Sequence, residues 1–384
     1  MLGYPISCGW VLKLVKQVPA VCLLKTAVSK YRKYIEFAAL LLLAGLIIWW
    51  FGRRLDWDQV KLAMRKSDWR LILAASAIIL IAYFWRAIRW QALLKPLTEA
   101  SLREVWVATT VGYGAVLLIG RAGEVVRPVV LPMRDHRVRP AASFVTIMVE
   151  RLYDSVTVVL LFAISLFWLT PSAGAGTDFA RARIVGFALI GLLVVAIGLL
   201  LLFRKRSQPV IAWLDRRINP RSPLATRIKH AATSTLEQLA AALSVLSDVR
   251  LLALTVFWSV VLWGSISVGN LLVFRAFGVS FGITQVIFVL GWSMVGSAVP
   301  TPGGAAGAFH AVTGAALVLL GVGRDQAAAM AIIMHLVDFA PAALVGLFYL
   351  LRGEINLTRL RALISVNAVE HAVEDEKVAV AETS

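Results

Sequence analysis

The chain has 384 residues, of which 59% are hydrophobic and 16% charged, with a mean hydropathy of +0.79. Several apolar runs reach the about 20 helical residues that cross a bilayer, which excludes an ordinary soluble domain and makes this an all-α, polytopic helical integral membrane protein. The net charge of +17 does not imply nucleic acid, because the lysines and arginines gather at the ends of apolar runs, where the positive-inside rule and anionic headgroups place them.

Residues 1–34 carry Lys13, Lys16, Lys25, Lys30, Arg32 and Lys33. They read as a basic cytoplasmic arm. Cys8 and Cys22 both lie in it and supply neither a disulfide framework nor a metal-ligand set. A transmembrane domain then covers 35–352, with about six full spans expected at 35–51, 69–88, 141–169, 183–203, 250–274 and 328–351. The connection 52–68 reads as an interfacial helix with Trp57, Val60 and Met64 on one face. It should lie outside, yet Arg53, Arg54, Lys61, Arg65 and Lys66 break the charge rule there. The connection 89–103, with Arg89, Lys95 and Arg103, reads as cytoplasmic.

The next run, "VWVATTVGYGAVLLIG" (105–120), begins and ends on the same side. About 16 residues make roughly 24 Å of helix against about 30 Å of hydrocarbon, so a re-entrant element is expected. The connection 170–182 is nearly uncharged and reads as outside. The connection 204–249 is strongly basic, reads as cytoplasmic, and carries an amphipathic helix with Ile228, Ala232, Leu236, Leu239, Leu243 and Leu246 at helical spacing.

By parity the segment 283–321 leaves and returns to the outer side. Its middle, "PTPGG", holds Pro300, Pro302, Gly303 and Gly304 and breaks the helix. A re-entrant hairpin and two full spans both satisfy this parity. "VGYGAVLLIGRAGE" (111–124) and "LGWSMVGSAVPTPGG" (290–304) share a Gly-aromatic start and a small-residue tip. They would enter from opposite faces as an inverted repeat of broken helices. The tail 353–384 reads as cytoplasmic and disordered.

Charged residues at membrane depth are functional candidates. "VERLYD" places Glu150, Arg151 and Asp154 inside a span, with Glu150 and Asp154 on one helix face. An interhelical ion pair is the alternative to a transport path. "RAGEVVR" supplies Arg121, Glu124 and Arg127 as a headgroup site, since an arginine fork binds phosphate bidentately. Gly123 permits a turn or close packing there. His310, His335 and Asp338 complete the intramembrane polar path; each taken alone is more often a satisfied core residue. The sequence holds no nucleotide-binding loop and no hydrolase motif, so neither an enzyme nor a cofactor is expected.

Taken in order, "GRAGEVVRPVVL", "MVERLYDS" and "VPTPGGAAGAFHAVTGAAL" resemble the lysylphosphatidylglycerol synthase transmembrane region family of flippase-like membrane proteins, over roughly 35–352. In complete synthases, the resemblance implies, this region moves aminoacylated phospholipid between leaflets and a separate soluble domain makes that lipid. Here about 30 residues follow the last span, so a stand-alone membrane domain without aminoacyl transfer is expected. His310 stands where many relatives have Glu, which suits a cationic headgroup less well. The expected function is therefore an inner-membrane lipid translocase or lipid-binding transporter for a phosphate-bearing lipid, a phospholipid or a polyprenyl-phosphate-linked one. A non-transporting scaffold for a lipid- or glycan-modifying enzyme is the alternative. The expected partners are membrane lipids and that enzyme, with both termini cytoplasmic.

Overall fold

The computed structural model describes residues 55–169, 249–299 and 302–353, with isolated positions between 42 and 53 and between 180 and 213. The arm 1–34, most of the expected span 35–51, part of the expected span 183–203, residues 300 and 301, most of 204–249 and the tail beyond 353 lie outside the described residues.

The described segments are helical throughout. A short helix α1 (Trp57–Lys66) starts at Asp56, whose carboxylate accepts from the Asp58 and Gln59 backbone N–H groups. This is the surface helix expected from 52–68: Val60 is buried while Trp57 is exposed. Helix α2 (Trp69–Leu94) is capped by Asp68. Then come α3 (Leu102–Ile119), a 3₁₀ turn (Gly120–Val125), α4 (Val126–Arg134) and α5 (Pro140–Trp168). After the second described break come α6 (Val249–Ala276), α7 (Ile283–Ser297), α8 (Pro302–Leu319) and α9 (Arg324–Leu351). By length and composition α2, α6 and α9 can each cross a membrane. Helix α5 has 29 residues and carries three charged groups in its middle.

Contacts between chain-distant residues order the bundle. The Asp68 N–H donates to the Ala276 carbonyl at 2.9 Å, so α2 begins where α6 ends and the two run antiparallel. Gln326 Nε2 donates to the Phe277 carbonyl and the Asp56 N–H to Asp325 Oδ1, bringing the start of α9 to the same end. This is the α1 end. At the opposite end Asp135 Oδ2 accepts from the Ser101 N–H at 3.2 Å, and Arg134 pairs with Glu104. Tyr349 and Leu350 pack there against the cluster around Val105 and Val129.

Both interruptions are therefore hairpins. α3, the 3₁₀ turn and α4 enter from the opposite end and return to it. α7 and α8 leave from the α1 end and return to it: the hairpin follows Phe281, whose ring meets Phe274, and closes at Val322 just ahead of α9. The α7–α8 tip sits beside His335, Leu117 and Phe339. His335 lies eleven residues into α9, about 16 Å from its start and near mid-depth. This resolves 283–321 as a re-entrant hairpin, entering from the face opposite to 105–120.

The tips depend on local chemistry. A Cβ on Gly123 would run into the Ala115 and Val116 backbone, so the 3₁₀ turn closes onto α3 only with glycine. Gly303, Gly304 and Ala305 are all left-handed, with φ of 73°, 63° and 64°. The break extends one residue beyond the expected Gly-Gly, into an alanine that pays a steric cost for this conformation. Pro302 opens α8 ahead of this break.

One boundary differs from the sequence expectation. The span expected at 69–88 continues to Leu94, and Arg89, assigned to a cytoplasmic connection, is 0% exposed. A hydropathy reading stops at arginine, whereas the helix continues because arginine partners await it on α5.

Candidate functional site

The middle of the bundle holds a charged cluster. Arg86 and Arg89 are three apart on one face of α2; Arg127 comes from α4; Glu150, Arg151 and Asp154 come from α5. Glu150, 0% exposed, receives both Arg127 guanidinium nitrogens, at 2.7 and 3.2 Å. Arg151 Nη2 reaches the same carboxylate at 2.8 Å, Arg86 at 3.4 Å and Arg89 at 3.7 Å. Asp154 takes Arg86 at 2.8 Å and Arg89 at 2.7 Å. Arg89 also donates to Ser259 Oγ on α6 at 2.9 Å.

Aromatic faces complete the seat. The Arg127 guanidinium lies 4.6 Å from the Trp90 ring centre and 5.3 Å from that of Tyr113; Arg86 lies 5.2 Å from Tyr113. Weakly hydrated guanidinium groups gain from such faces when desolvated. Helix α3 leaves room for the arginine because a Cβ at Gly112 would collide with the Arg127 side chain.

Beside the cluster, between the two tips, is a cavity of about 530 Å³. Arg86, Arg151, Asp154, Tyr113 and Glu124 line one side. Most of the remaining wall is apolar, including Val158, Phe162, Leu262 and Met294. Of the four arginines, Arg151 has by far the most open side chain, 32% exposed against 8% for Arg86, 2% for Arg127 and 0% for Arg89. Its Nη2 also donates to Tyr113 Oη at 2.8 Å.

The expected site residues divide accordingly. Arg127, expected to hold a headgroup, is instead closed between Glu150 and Trp90 and does not line the cavity. Glu150, expected on a transport path, sits behind the cavity wall as the hub of the interhelical ion pairs. Arg151, Asp154, Glu124 and Asp338 line the cavity. The Arg121 side chain lies outside the described residues, though its backbone is in the 3₁₀ turn. His335 sits one layer behind the wall: its Nε2 is 3.3 Å from the Gly304 carbonyl, and Gly304 lines the cavity. His310 stacks edge-on against His335 at 4.9 Å and does not line the cavity. The histidines thus brace the α7–α8 tip, off the path expected for them.

Arg86, Arg89 and Tyr113 went unrecognised in the sequence. "WRAIRW" (85–90) carried a usable signal: two arginines at helical spacing directly after a long apolar run. Among the described residues no group of three or more metal-ligating side chains gathers.

Residues 37–346 match the family described as the lysylphosphatidylglycerol synthase TM region. The chain belongs to this family. It is also similar to UPF0104 membrane protein PH1989 of Pyrococcus horikoshii, at 22% identity over 332 residues, covering 82% of this chain and 95% of that protein. The family match spans both hairpins and every charged residue of the cluster, so the whole site lies within the lysylphosphatidylglycerol synthase TM region.

Proposed function

We propose that the chain is a lipid translocase or lipid-binding transporter acting on a phosphate-bearing lipid, with the phosphate held by Arg151 and Arg86 in the mid-depth cavity. The observation that carries the reading is the cavity's two-sided wall. An arginine pole suits a phosphodiester, and the apolar remainder suits an acyl or prenyl chain. Charge supports it: among the described side chains four guanidinium groups gather with three carboxylates, Glu124, Glu150 and Asp154, into one arginine-rich pole, while the other carboxylate lining the cavity, Asp338, pairs with none of the four arginines. The reading involves moving an intact lipid and no covalent step.

For cellular placement we propose the inner membrane, with the α1 end outward. Exposed cations occur at both ends of the described bundle, Arg65, Lys66, Arg275 and Arg324 at one and Lys95, Arg103, Arg139 and Arg250 at the other. Orientation therefore rests on the contrast between the connections 170–182 and 204–249.

The test is leaflet-resolved movement of a fluorescent phospholipid in proteoliposomes, run beside lipid binding by native mass spectrometry. Arg151→Gln should weaken binding roughly tenfold to a hundredfold, the worth of one charge-assisted bond of about 1.5–3 kcal/mol, and should reduce flux accordingly. Wild-type flux and binding in Arg151→Gln refute the reading. Binding without flux in the wild type assigns the chain to the scaffold alternative.

A further inference from the structure

The mid-depth cavity holds a carboxyl group that phosphate binding leaves unused. Asp338 on α9 lines it and is partly buried. Among the described residues its carboxylate has one side-chain partner, Asn270 on α6, whose Nδ2 donates at 3.4 Å. The Tyr83 hydroxyl on α2 donates to the Asp338 backbone carbonyl at 2.7 Å and not to the carboxylate. None of the four arginines pairs with Asp338; Glu150 and Asp154 take them. An ionised carboxylate at membrane depth without a cationic partner is costly, and a proton neutralises it without any further ligand.

The other titratable groups around Asp338 are already engaged or stand apart. On α9 itself His335 is one turn away, with its Nε2 3.3 Å from the Gly304 carbonyl. From α8, His310 stacks on His335 and does not line the cavity. Helix α7 carries no titratable side chain, and α6 faces Asp338 with the uncharged Asn270. From α3, Tyr113 accepts a bond from Arg151 at 2.8 Å. Arg86 of α2, Arg151 and Asp154 of α5 and Glu124 of the 3₁₀ turn line the arginine pole. The charges of α1 lie near the start of α9, where the Asp56 N–H meets Asp325, about 20 Å from Asp338 along the helix. Tyr83, which touches Asp338, is three residues from Arg86, so the carboxylate and the arginine pole differ in depth by about 5 Å.

We infer that Asp338 is a proton-binding site coupled to the lipid site, so that an anionic headgroup enters and leaves the cavity together with one proton carried on the Asp338 carboxyl. The inference rests on Arg86 and Arg151 holding the phosphate. In the empty cavity the arginine pole favours the ionised carboxylate. A seated phosphate neutralises the pole and places a like charge beside Asp338, which favours the protonated carboxyl. The cavity volume corresponds to a width of roughly 10 Å, and like charges that far apart in a partly buried site change each other's binding by about tenfold. The coupling is reciprocal: lipid binding takes up a proton, and a proton tightens lipid binding. A monoanionic lipid and one proton cross as a neutral pair. A pH difference can therefore drive the lipid, while the membrane potential does no net work on the pair.

The experiment is calorimetric binding of dioleoyl phosphatidylglycerol to the purified full chain in detergent. It runs between about pH 5 and pH 9, where the phosphodiester keeps one constant charge. Affinity should fall about tenfold from the acid to the alkaline end, and heats in two buffers of different protonation enthalpy should show uptake of up to about one proton per lipid. Asp338→Asn fixes the uncharged form; it should bind with the acid-end affinity throughout and take up no proton. His335→Gln should keep the slope. In proteoliposomes an imposed pH difference should gather fluorescent phosphatidylglycerol in the leaflet facing the alkaline side, and Asp338→Asn should abolish that bias. Wild-type binding without proton uptake overturns the inference, as does a slope that survives Asp338→Asn or is lost in His335→Gln instead. The uptake measurement needs the wild type alone, so it decides the question even where a variant folds poorly. Arg151→Gln should weaken binding at every pH. No loss there sinks the phosphate reading itself, whereas Arg151 dependence without proton uptake sinks the coupling alone.

Discussion

Glu150→Gln removes one negative charge from a position that four guanidinium groups share. The carboxylate is fully buried, takes Arg127 through two bonds at 2.7 and 3.2 Å, and lies 2.8 Å from Arg151. Glutamine preserves the shape, but its amide nitrogen faces a cation where an oxygen accepted. Removing one partner of a buried pair costs about 3–5 kcal/mol, because the remaining charge is left without compensation. A melting midpoint lower on the order of 10 °C follows at the usual slope for a chain of this size. The assay is thermal unfolding in detergent of the wild type, Glu150→Gln, Arg127→Gln and the double variant. The double variant should recover part of the loss, since it removes the bidentate pair together and leaves no orphaned charge. Arg151→Gln combined with Glu150→Gln should recover less, because Arg151 is partly exposed and can be hydrated. A Glu150→Gln protein that melts with the wild type, or a double variant whose loss is the simple sum, refutes the account of Glu150 as the structural hub.

Three further outcomes are expected. Gly123→Val should lower the melting temperature by more than the about 1–3 kcal/mol of ordinary overpacking, since the new side chain meets the Ala115 and Val116 backbone; a variant that melts within a degree of the wild type refutes the tight turn. Asp135, at the end away from α1, is held down to about 2 by its hydrogen bond from Arg137 and by the Ser101 and Arg137 N–H groups. Its folded-state value lies below the ordinary carboxyl near 4, so its stabilisation is full above about pH 4 and lost as pH falls towards 2. Unfolding measured across that window should lose this component in Asp135→Asn, and an unchanged profile counts against it. Cysteines at Ser172 and Ser222 should differ in labelling by an impermeant reagent in intact cells, Ser172→Cys reacting and Ser222→Cys not; equal labelling removes the proposed orientation.

The architecture was legible where a single physical signal dominated. Long apolar runs mark α2, α5, α6 and α9, and insufficient helix length marks the α3 hairpin in the sequence itself. Parity brought 283–321 back to its starting side, but both a hairpin and a pair of spans satisfy parity. The choice lay in packing: Gly304 against His335 and Leu117 is a contact between segments far apart in sequence. The site was half legible. Glu150, Arg151 and Asp154 stood out because charge in a span is costly. Arg86 and Arg89 did not, because at the end of an apolar run arginine is what a membrane boundary looks like. Their partners are about 60 residues away. Arg127 reads in sequence as a headgroup ligand because it shares "RAGEVVR" with Arg121 and an arginine fork suits phosphate, whereas in space Glu150 and Trp90 enclose it.

The charge balance of the cluster bears on the proposed headgroup site. A closed ion-pair lattice in a membrane should be neutral, since each uncompensated buried charge carries a large desolvation cost. Arg89, Arg127, Glu150 and Asp154 meet that condition among themselves: two cations, two anions, all buried or nearly so. Arg86 and Arg151 pair with the same two carboxylates and exceed their charge, and these two line the cavity beside Glu124. The two hairpins add to the same field. Helices α4 and α8 both begin at the midplane tips, and helix N-termini carry the positive end of the helix dipole. A broken helix at this depth otherwise exposes unpaired backbone groups to hydrocarbon. Beside a cavity that takes an anion, as proposed, the same break would become favourable. The arginine-rich pole and the helix starts at the tips are thus two features that the proposed phosphate would satisfy together.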